Sequence, residues 1–506
     1  MRRGAKHASV QPLELRLTGG LNYSPSPADI ADNECTRADN VIYDPETDKL
    51  ITRPGTKCLS SAAITKGIKI GYYYKNAVAG YHVAAGNGKL YKFNAGTSVY
   101  DEIGALSDTT TVPSFVTFNG KLLIADGGSG IRTWDGTTYT TMATSPPANA
   151  LGVIKNRVVA NSVSDLDMVY LSGPEKESDW DTVGGSAVGI RAGYGDLLTV
   201  NGFAALQDDL IVSKYAAHQK SLYRLNVASG TTTDWYCIPI SDKNCAANNR
   251  SMISIWNGIY FVDMNGFKSL MGTQKYGDIQ IDNIGRKINP LFRAKSVING
   301  IYYTPTYNAL WFCKNDNVIC YTERFNADLG VVVPAFTRLY FEQGRITSIY
   351  EVDNVVYLTG DNGHLYCLDD AVSTDEIEQG TSVKYVSRIR TKMFAFPTDV
   401  ILRKLQYYIN PVASNSGKIY LAKNDSEKTA IDTFGVTAGK QEYVYDQTGY
   451  LNDATGYISS MANESILHIC RNRVRDNRLA FEFECNDGRF GLDWIKAELA
   501  FIEGGE

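Results

Sequence analysis

One unit recurs along the chain from Lys57 to about Asp370. Each copy has a polar or glycine turn, a short apolar strand, a second glycine-containing turn and another strand. A spacing of about 40–50 residues between copies is typical of the four-stranded blades of a β-propeller. The sequence therefore predicts a propeller of about seven blades, or of six if a weak copy is miscounted. The turns that mark the copies lie at Asn76, Asn119, Asn156, Asp208, Asn257, Asn308 and Asn354.

Burial explains why such a repeat forms a propeller. A small antiparallel sheet cannot cover both of its faces alone, whereas radial stacking of several sheets covers them. The segments Ile259–Val262 and Leu365–Leu368 are nearly continuous apolar runs, as expected of strands that are covered on two faces. No amphipathic helix of about four turns interrupts this region.

The stretch that precedes the repeat, Gly19–Thr56, contains four prolines and is not helical. Asn40–Tyr43 and Lys49–Thr52 predict a hairpin around an Asp-Pro turn. Leu50–Thr52 comes just before the first blade, so it is a candidate for the strand that completes the last blade. In that case Gly19–Asp39 either reaches a neighbouring subunit or folds back on the C-terminal region.

The pattern changes after Glu376. Longer segments alternate with period two, and they lack the Asn-Gly turn of the repeat. One of these predicted strands is Gln441–Tyr445. The chain thus divides into an N-terminal arm and hairpin over residues 1–56, a β-propeller over 57–380 and an antiparallel β-sandwich platform over 381–506. The fold class is all-β.

Composition limits the functions available to the chain. A chain of 506 residues is too long for one ordinary hydrophobic core. It should contain two or more domains, unless a repeat architecture extends one of them. A net charge of −5 argues against wholesale binding of nucleic-acid backbone, although DNA can still pass through a channel without sticking. Nine cysteines without a C-x-x-C pair favour free thiols in a reducing cytoplasm. No apolar window approaches the ~18 residues of a membrane span.

Known catalytic patterns are not found. None of the five histidines has metal-ligand spacing, and there is no GxSxG elbow or Walker loop. Gly127–Gly130 is glycine-rich but joins two strands, so no helix dipole faces a phosphate. Ser129–Gly136 lacks the aspartate and the glycine of a sialidase Asp-box. We therefore expect no enzymatic activity, no catalytic residue, no metal and no cofactor.

The longest irregular segment of the repeat is Val163–Gly195, which is rich in acids and ends in a glycine-rich stretch. Long loops in compact folds are often functional, so this is a candidate channel or contact loop. The alternative is a plain insertion between blades. The candidate residues of this loop are Asp165, Asp167, Glu175, Lys176, Glu177, Asp179 and Trp180.

Four arginines lie close together where two predicted C-terminal strands join. The odd-numbered ones share a face if that stretch is extended. The cluster is a candidate contact for an acidic partner or for DNA phosphates. The alternative is a solvated hairpin edge that charge protects from aggregation. The four residues are Arg471, Arg473, Arg475 and Arg478.

Several stretches together resemble the tail hub or nozzle proteins of short-tailed phages, also called packaged-DNA stabilisation proteins. The resemblance at the N-terminus lies in GGLN (Gly19–Asn22), IADNE (Ile30–Glu34), DNVIYD (Asp39–Asp44) and LITRPGT (Leu50–Thr56). Further matching stretches are VYLSGPEKESDW (Val169–Trp180), the segment Gly195–Asn226, GIYFVDMNGFKSLMG (Gly258–Gly272) and IGRKINP (Ile284–Pro290). They occur in the family's order.

The resemblance implies a structural virion protein of the tail, synthesised in the host cytoplasm. Members of this family form a homohexameric ring below the portal and adaptor rings. That ring extends the DNA channel, retains packaged DNA and passes double-stranded DNA without sequence specificity. Other tail proteins or tail fibres are the expected partners. The alternatives are a head–tail connector ring of another tail type, or a glycan-binding or glycan-hydrolysing receptor-recognition propeller.

Overall fold

The computed structural model describes most of the chain, and in the described residues nearly all regular structure is β-strand. The short helical elements are Thr232–Asp234, Arg286–Ile288, Asn289–Phe292 and Pro305–Tyr307. None of the described helices is long and apolar enough to cross a membrane. The described residues are 10–23, 26–107, 110–196, 198–216, 219–263, 265–272, 279–292, 298–326, 331–410, 412, 415–422, 427–436, 466–471 and 474–501.

Five antiparallel four-stranded sheets follow one another along the chain. Sheet 1 contains Ile70–Lys75, Gly80–Gly86, Lys89–Asn94 and Val99–Ala105. Sheet 2 contains Ser114–Phe118, Lys121–Ala125, Arg132–Trp134 and Tyr139–Thr141. Sheet 3 contains Leu151–Ile154, Arg157–Asn161, Met168–Leu171 and Val188–Arg191. Sheet 4 contains Thr199–Leu206, Asp209–Ala216, Gln219–Asn226 and Tyr236–Ser241, and sheet 5 contains Met252–Ile255, Gly258–Asp263, Gly266–Gly272 and Ile279–Asp282.

Two further units complete the series. Sheet 6 contains Ile298–Thr304, Ala309–Lys314, Asn317–Asn326 and Val331–Tyr340. Sheet 7 contains Ile346–Val352, Val355–Gly360, Leu365–Asp369 and Gly55–Cys58, and it extends through Thr374–Glu378 and Thr381–Lys384. The first strand of each sheet contacts the first strand of the next, and that of sheet 7 contacts that of sheet 1. The prediction of an all-β propeller is confirmed by this closed arrangement.

The repeated turns have the backbone geometry that their residues favour. Both central residues have positive φ at Asn119-Gly120, Lys155-Asn156 and Asp353-Asn354. Such pairs form the type I′ turn, whose twist matches that of the two flanking strands. Each of these turns joins the first strand of a sheet to the second. The turn signal that marks the repeat is therefore a hairpin signal at the same place in successive sheets.

The strand that closes the ring is not the one that the sequence predicted. Gly55–Cys58 pairs antiparallel with the third strand of sheet 7, at Tyr366↔Cys58 and Asp369↔Gly55. Leu50–Thr52 instead pairs with Val41–Tyr43, as the predicted hairpin requires, and with the C-terminal strand Gly491–Phe501. The prediction for Leu50–Thr52 is wrong because Arg53 and Pro54 end that strand before the propeller begins.

The N-terminal segment folds back on its own chain. Glu34–Asp39 pairs with Ser387–Thr391, and Val10–Leu15 pairs with Gly491–Phe501. Of the two alternatives for Gly19–Asp39, the structure shows the second. The remaining strand of this segment, Gly20–Leu21, pairs with Glu34–Asp39.

The C-terminal strands surround the long strand Phe394–Asn410, which pairs with Gly491–Phe501 over most of its length. Phe481, Phe483 and Tyr407 are fully buried in the core between these strands. The other strands here are Asn415–Ala422, Lys428–Val436, Ile466–Arg471 and Arg475–Gly488. The predicted strand Gln441–Tyr445 lies outside the described residues. The division of the chain at residues 56 and 380 stays a prediction.

Candidate functional site

The segment Val163–Gly195 is less irregular than predicted. It contains Met168–Leu171 and Val188–Arg191, the third and fourth strands of sheet 3, so only residues 172–187 form the connecting loop. The inner strands of the propeller are the first strands of each sheet, and this loop therefore lies on the outer side of sheet 3. Its role as a channel or contact loop stays a prediction.

Glu177 and Trp180 attach this loop to sheet 2. Lys121 Nζ lies 2.7 Å from Glu177 Oε1, and Asn119 Nδ2 donates to Oε2 over 3.0 Å. Burial opposes ionisation of Glu177, but the hydrogen bonds from Lys121, the backbone and Asn119, together with the charge of Lys121, outweigh it and hold the pKa below its ordinary value. Trp180 is only 6% exposed, and it packs in one cluster with Phe118. Glu177 and Trp180 therefore connect the loop of sheet 3 to sheet 2.

The other candidate residues of the loop region have local partners or exposed side chains. Asp165 forms an exposed ion pair with Arg191, at 2.8 Å. Asp179 Oδ2 accepts a hydrogen bond from the Ser186 backbone N–H. The remaining two side chains of the loop, those of Glu175 and Lys176, are exposed.

Asp167 belongs to a buried charged cluster. Lys214 is fully buried, and its Nζ lies 2.9 Å from Asp167 and 2.7 Å from Asp196. Burial opposes ionisation of Asp196, but the hydrogen bond from Lys214 keeps the pKa of this carboxyl below its ordinary value. A strand of sheet 4 and two loop residues, Asp167 and Asp196, meet at this amine, so Asp167 has a structural contact inside the chain.

Three of the four candidate arginines lie on described strands. Arg471 ends Ile466–Arg471 opposite Lys404, whereas Arg475 begins the next strand opposite Ile401. Both strands pair with Phe394–Asn410, and the shared face of the odd-numbered arginines stays a prediction. Arg475 Nε forms an exposed ion pair with Asp399, at 2.8 Å, and Arg478 is also exposed. Arg473 lies outside the described residues.

Asparagine side chains join successive sheets around the axis, a feature that the sequence reasoning missed. In each case the side-chain amide donates to a backbone carbonyl in the first strand of the next sheet or in the segment that precedes it. This asparagine series consists of Asn161 to Val200, Asn201 to Ala246, Asn248 to Ile298 and Asn299 to Ile346, over 2.6 to 3.0 Å. The available signal was an asparagine at or just before the inner strand of three successive sheets, 4, 5 and 6.

A cavity of about 280 Å³ lies among these residues on the face where the inner strands begin. Asn249 Nδ2 donates to the Asn149 carbonyl over 2.8 Å and so links sheet 5 to sheet 3 past the intervening sheet. The cavity walls include Thr111, Asn149, Thr199, Asn201, Asn248 and Arg250.

A second cavity, of about 700 Å³, lies between sheets 7 and 1. The ring centroids of His82 and Tyr357 are 4.4 Å apart, and His82 Nδ1 lies 3.1 Å from the Tyr350 hydroxyl. Burial lowers the pKa of His82 to about 4. Other residues that line this cavity are Tyr81, Phe93, Asn94 and Asp101. Aromatic faces beside amide and carboxylate groups suit a polar ring-shaped ligand.

His82 is expected to make stability depend on pH. Between about pH 6.5, the ordinary pKa of histidine, and about pH 4, the unfolded chain binds a proton that folded His82 does not. The free energy of unfolding therefore falls as the pH falls through this window. Replacement of His82 by glutamine should reduce the loss of unfolding free energy between pH 7 and pH 5 by about 1–2 kcal/mol. Urea unfolding at both pH values measures this loss. If the free energy of unfolding falls as much between pH 7 and pH 5 in His82→Gln as in the wild type, His82 does not cause this pH dependence.

Comparisons with known proteins add little. No family model and no curated protein matches the chain. Similar solved structures include YCF48 bound to D1 peptide (9% identity, TM-score 0.40), covering 63% of this chain and 95% of that one. BamB from Moraxella catarrhalis is 12% identical with a TM-score of 0.38, covering 63% and 97% of the two chains. The β-propeller domain of Myceliophteria thermophila Cps50 (Swd1) is 11% identical with a TM-score of 0.40, covering 61% and 98%.

Similarities at this level carry no argument about function. The closed series of antiparallel sheets defines the chain as a β-propeller protein.

Proposed function

We propose that the chain is a structural virion protein, a subunit of a homohexameric tail hub or nozzle ring. The ring extends the channel of the portal and adaptor rings, retains packaged DNA and passes it during genome ejection. Within the subunit, sheets 1 to 7 are seven blades, and the C-terminal strands are a β-sandwich platform for other tail proteins or tail fibres. The resemblance of the N-terminal stretches to tail hub proteins is the origin of this proposal.

One structural observation supports it most: three of the resembling stretches meet at one point. Asn22 of GGLN donates to Glu34 of IADNE over 2.7 Å. Lys287 of IGRKINP lies 2.8 Å from the same carboxylate, and it also donates to the Gly19 carbonyl. Segments more than 250 residues apart in sequence thus share one partly buried polar contact. A common joint explains why these stretches occur together.

The other two N-terminal stretches form joints of the same kind. Asp39 of DNVIYD accepts hydrogen bonds from Arg338 over 2.8 and 2.9 Å. Arg53 of LITRPGT is fully buried against Asp375. Polar residues of the resembling stretches therefore hold the arm to the propeller. This use of motif residues suits a rigid ring subunit better than an enzyme, whose motif residues converge on an open pocket.

The purified full-length protein, or particles that contain it, should show six-fold rings with a central channel in electron-microscopy class averages. Particles made without the protein should lose their DNA. A stable monomer that is absent from particles contradicts the proposal. The position of the ring in reconstructions of the particle vertex distinguishes a tail nozzle from a head–tail connector.

The cavity around His82 and Tyr357 favours a second candidate, a glycan-binding receptor-recognition propeller. Its aromatic and amide lining has the chemistry of a sugar site. Saturable binding on a glycan panel by a monomeric protein, lost in Tyr357→Ala, would select this candidate instead of the ring.

A further inference from the structure

Charged side chains form rows on one face of the sheet that runs from sheet 6 through the N-terminal arm into the C-terminal strands. Glu484 lies opposite Arg388 on one side and opposite Lys418 on the other. Ile389 and Phe483, which alternate with these charged residues along their strands, are fully buried in the core on the other side of the sheet. We call the charged surface the basic face. Its basic residues are Arg37, Arg338, Arg388, Arg390, Lys418 and Lys428.

The acidic residues of the basic face are Asp39, Glu482 and Glu484, and they are paired with its cations. Glu482 forms an ion pair with Arg390 and lies 3.0 Å from Lys428 Nζ. Burial opposes ionisation of Glu482, but the hydrogen bonds and charges of Lys428 and Arg390 outweigh it and hold the pKa of this carboxyl below its ordinary value. The basic residues of the face outnumber the acidic ones by six to three. Adding the exposed Glu427 and the exposed pair of Lys384 and Asp487 gives seven to five, so the excess stays positive.

The two signs of charge lie at different depths. The side chains of Arg37, Arg388 and Lys428 are between 31 and 37% exposed, and Lys418 is exposed as well. The three carboxylates are only between 0 and 18% exposed. Long basic side chains extend over the shorter acidic ones and keep their charged groups in water. A partner that approaches this face therefore meets positive charge first.

The composition of the face favours a nucleic acid over a protein as that partner. No large apolar side chain is exposed among the described residues of Ser387–Thr391, Arg475–Gly488 and Asn415–Ala422, the strands at its centre. The centre of a protein interface is usually apolar and poor in charge, whereas nucleic-acid interfaces are polar and positively charged.

The width of the face also suits a duplex. Its charged residues come from six strands, which at a spacing of about 4.8 Å span about 24 Å. Double-stranded DNA carries one charge per about 1.7 Å of its axis, so several phosphates fall within this width.

We propose that the basic face binds the phosphate backbone of double-stranded DNA without sequence specificity. The guanidinium groups of Arg37 and Arg388 match the geometry of phosphate oxygens, and Lys418 and Lys428 add point charges. Because buried carboxylates offset part of this charge, the contact is weak and lets the duplex move along the face. The biological role of the contact rests on the proposed function, to which it adds a surface for packaged DNA, but the binding itself does not require a ring.

Fluorescence anisotropy of a labelled duplex of about 20 base pairs with the full-length protein tests the proposal. Binding should be saturable and independent of sequence, and log Kd should rise with log salt at a slope of about 3–4, as expected for four phosphate contacts. Lys418→Gln should weaken binding about 3-fold and lower this slope by about 1, and Lys418→Glu should weaken binding about 10-fold. Glu427→Gln removes an exposed acid beside Lys428 and should strengthen binding. The control Lys243→Glu changes an exposed lysine between sheets 4 and 5 and should leave binding unchanged.

Three results would overturn the proposal and leave a charge ladder that serves only the sheet. They are no binding by the wild type at about 50 mM salt, equal binding by the wild type and Lys418→Glu, and an equal loss in Lys243→Glu. An oligoglutamate that competes as strongly as the duplex at equal charge concentration would identify an acidic protein as the partner instead. Electron microscopy of the same samples separates this proposal from the ring. Wild-type rings without DNA binding contradict only the basic face, whereas DNA binding without rings contradicts only the ring.

Discussion

Replacing Asp375 by asparagine is expected to lower the free energy of unfolding by about 3–5 kcal/mol. Asp375 and Arg53 are both fully buried, and the two guanidinium nitrogens lie 2.9 and 2.5 Å from the two carboxylate oxygens. The Arg53 guanidinium also lies over the rings of Tyr385 and Phe341, at 3.8 and 4.4 Å from their centroids. With asparagine at position 375, the Arg53 charge stays buried without a counter-charge, and this destabilises the folded state.

A matched control separates burial from charge. Asp487→Asn breaks an ion pair with Lys384 in which both side chains are about 60% exposed, and it should cost no more than about 1 kcal/mol. The double variant Arg53→Met/Asp375→Leu removes both charges and should recover part of the loss. Denaturant midpoints measured by fluorescence provide the comparison. If Asp375→Asn is no more destabilised than Asp487→Asn, the pair does not hold the arm to sheet 7.

Replacing Trp180 by alanine is expected to lower the free energy of unfolding by about 3–5 kcal/mol, the usual cost of removing a buried tryptophan. The side chain lies in the apolar cluster with Phe118 and Leu123 of sheet 2, and its Nε1 donates to the Glu177 carbonyl over 2.7 Å. Truncation leaves a cavity between sheets 2 and 3. Hydrogen exchange should increase there first, while sheet 5 stays protected.

Lys176→Ala is the control for this loop, since it removes an exposed side chain four residues away. It should change stability by no more than about 0.5 kcal/mol. Equal stability of Trp180→Ala and Lys176→Ala would mean that the loop is not fastened to sheet 2, and would favour the movable loop that a channel gate requires.

The propeller was predictable because its signal is local. Asn119-Gly120 and Asp353-Asn354 specify hairpin turns from two residues, and apolar runs such as Ile259–Val262 specify covered strands. The closing strand was not predictable in the same way. Leu50–Thr52 has the better strand pattern, but the closing strand is decided by pairing with Leu365–Asp369, which is distant in sequence and selects Gly55–Cys58.

The candidate sites show the same limit. The acidic segment around Glu177 looked like a free loop because Lys121, its partner, lies in another sheet. The arginine run was visible as a cluster in sequence, whereas Lys214 meets its partners Asp167 and Asp196 only in the folded chain. Charge patterns along a strand are local, but the burial of a charge is decided by chain segments that are distant in sequence.

The identity of the closing strand has a consequence for how the chain folds. Gly55–Cys58 leaves the ribosome early, yet its partner Leu365–Asp369 follows about 300 residues later, and at roughly 5–20 residues per second it waits many seconds for that partner. Until then the edge of Gly55–Cys58 is unpaired and open to association with other chains. Val10–Leu15 waits longer still, for Gly491–Phe501. Early sheets can form during synthesis, but ring closure is a late event between segments that are distant in sequence. We therefore expect slow folding, and we expect the unpaired strand edges to need protection until the ring closes.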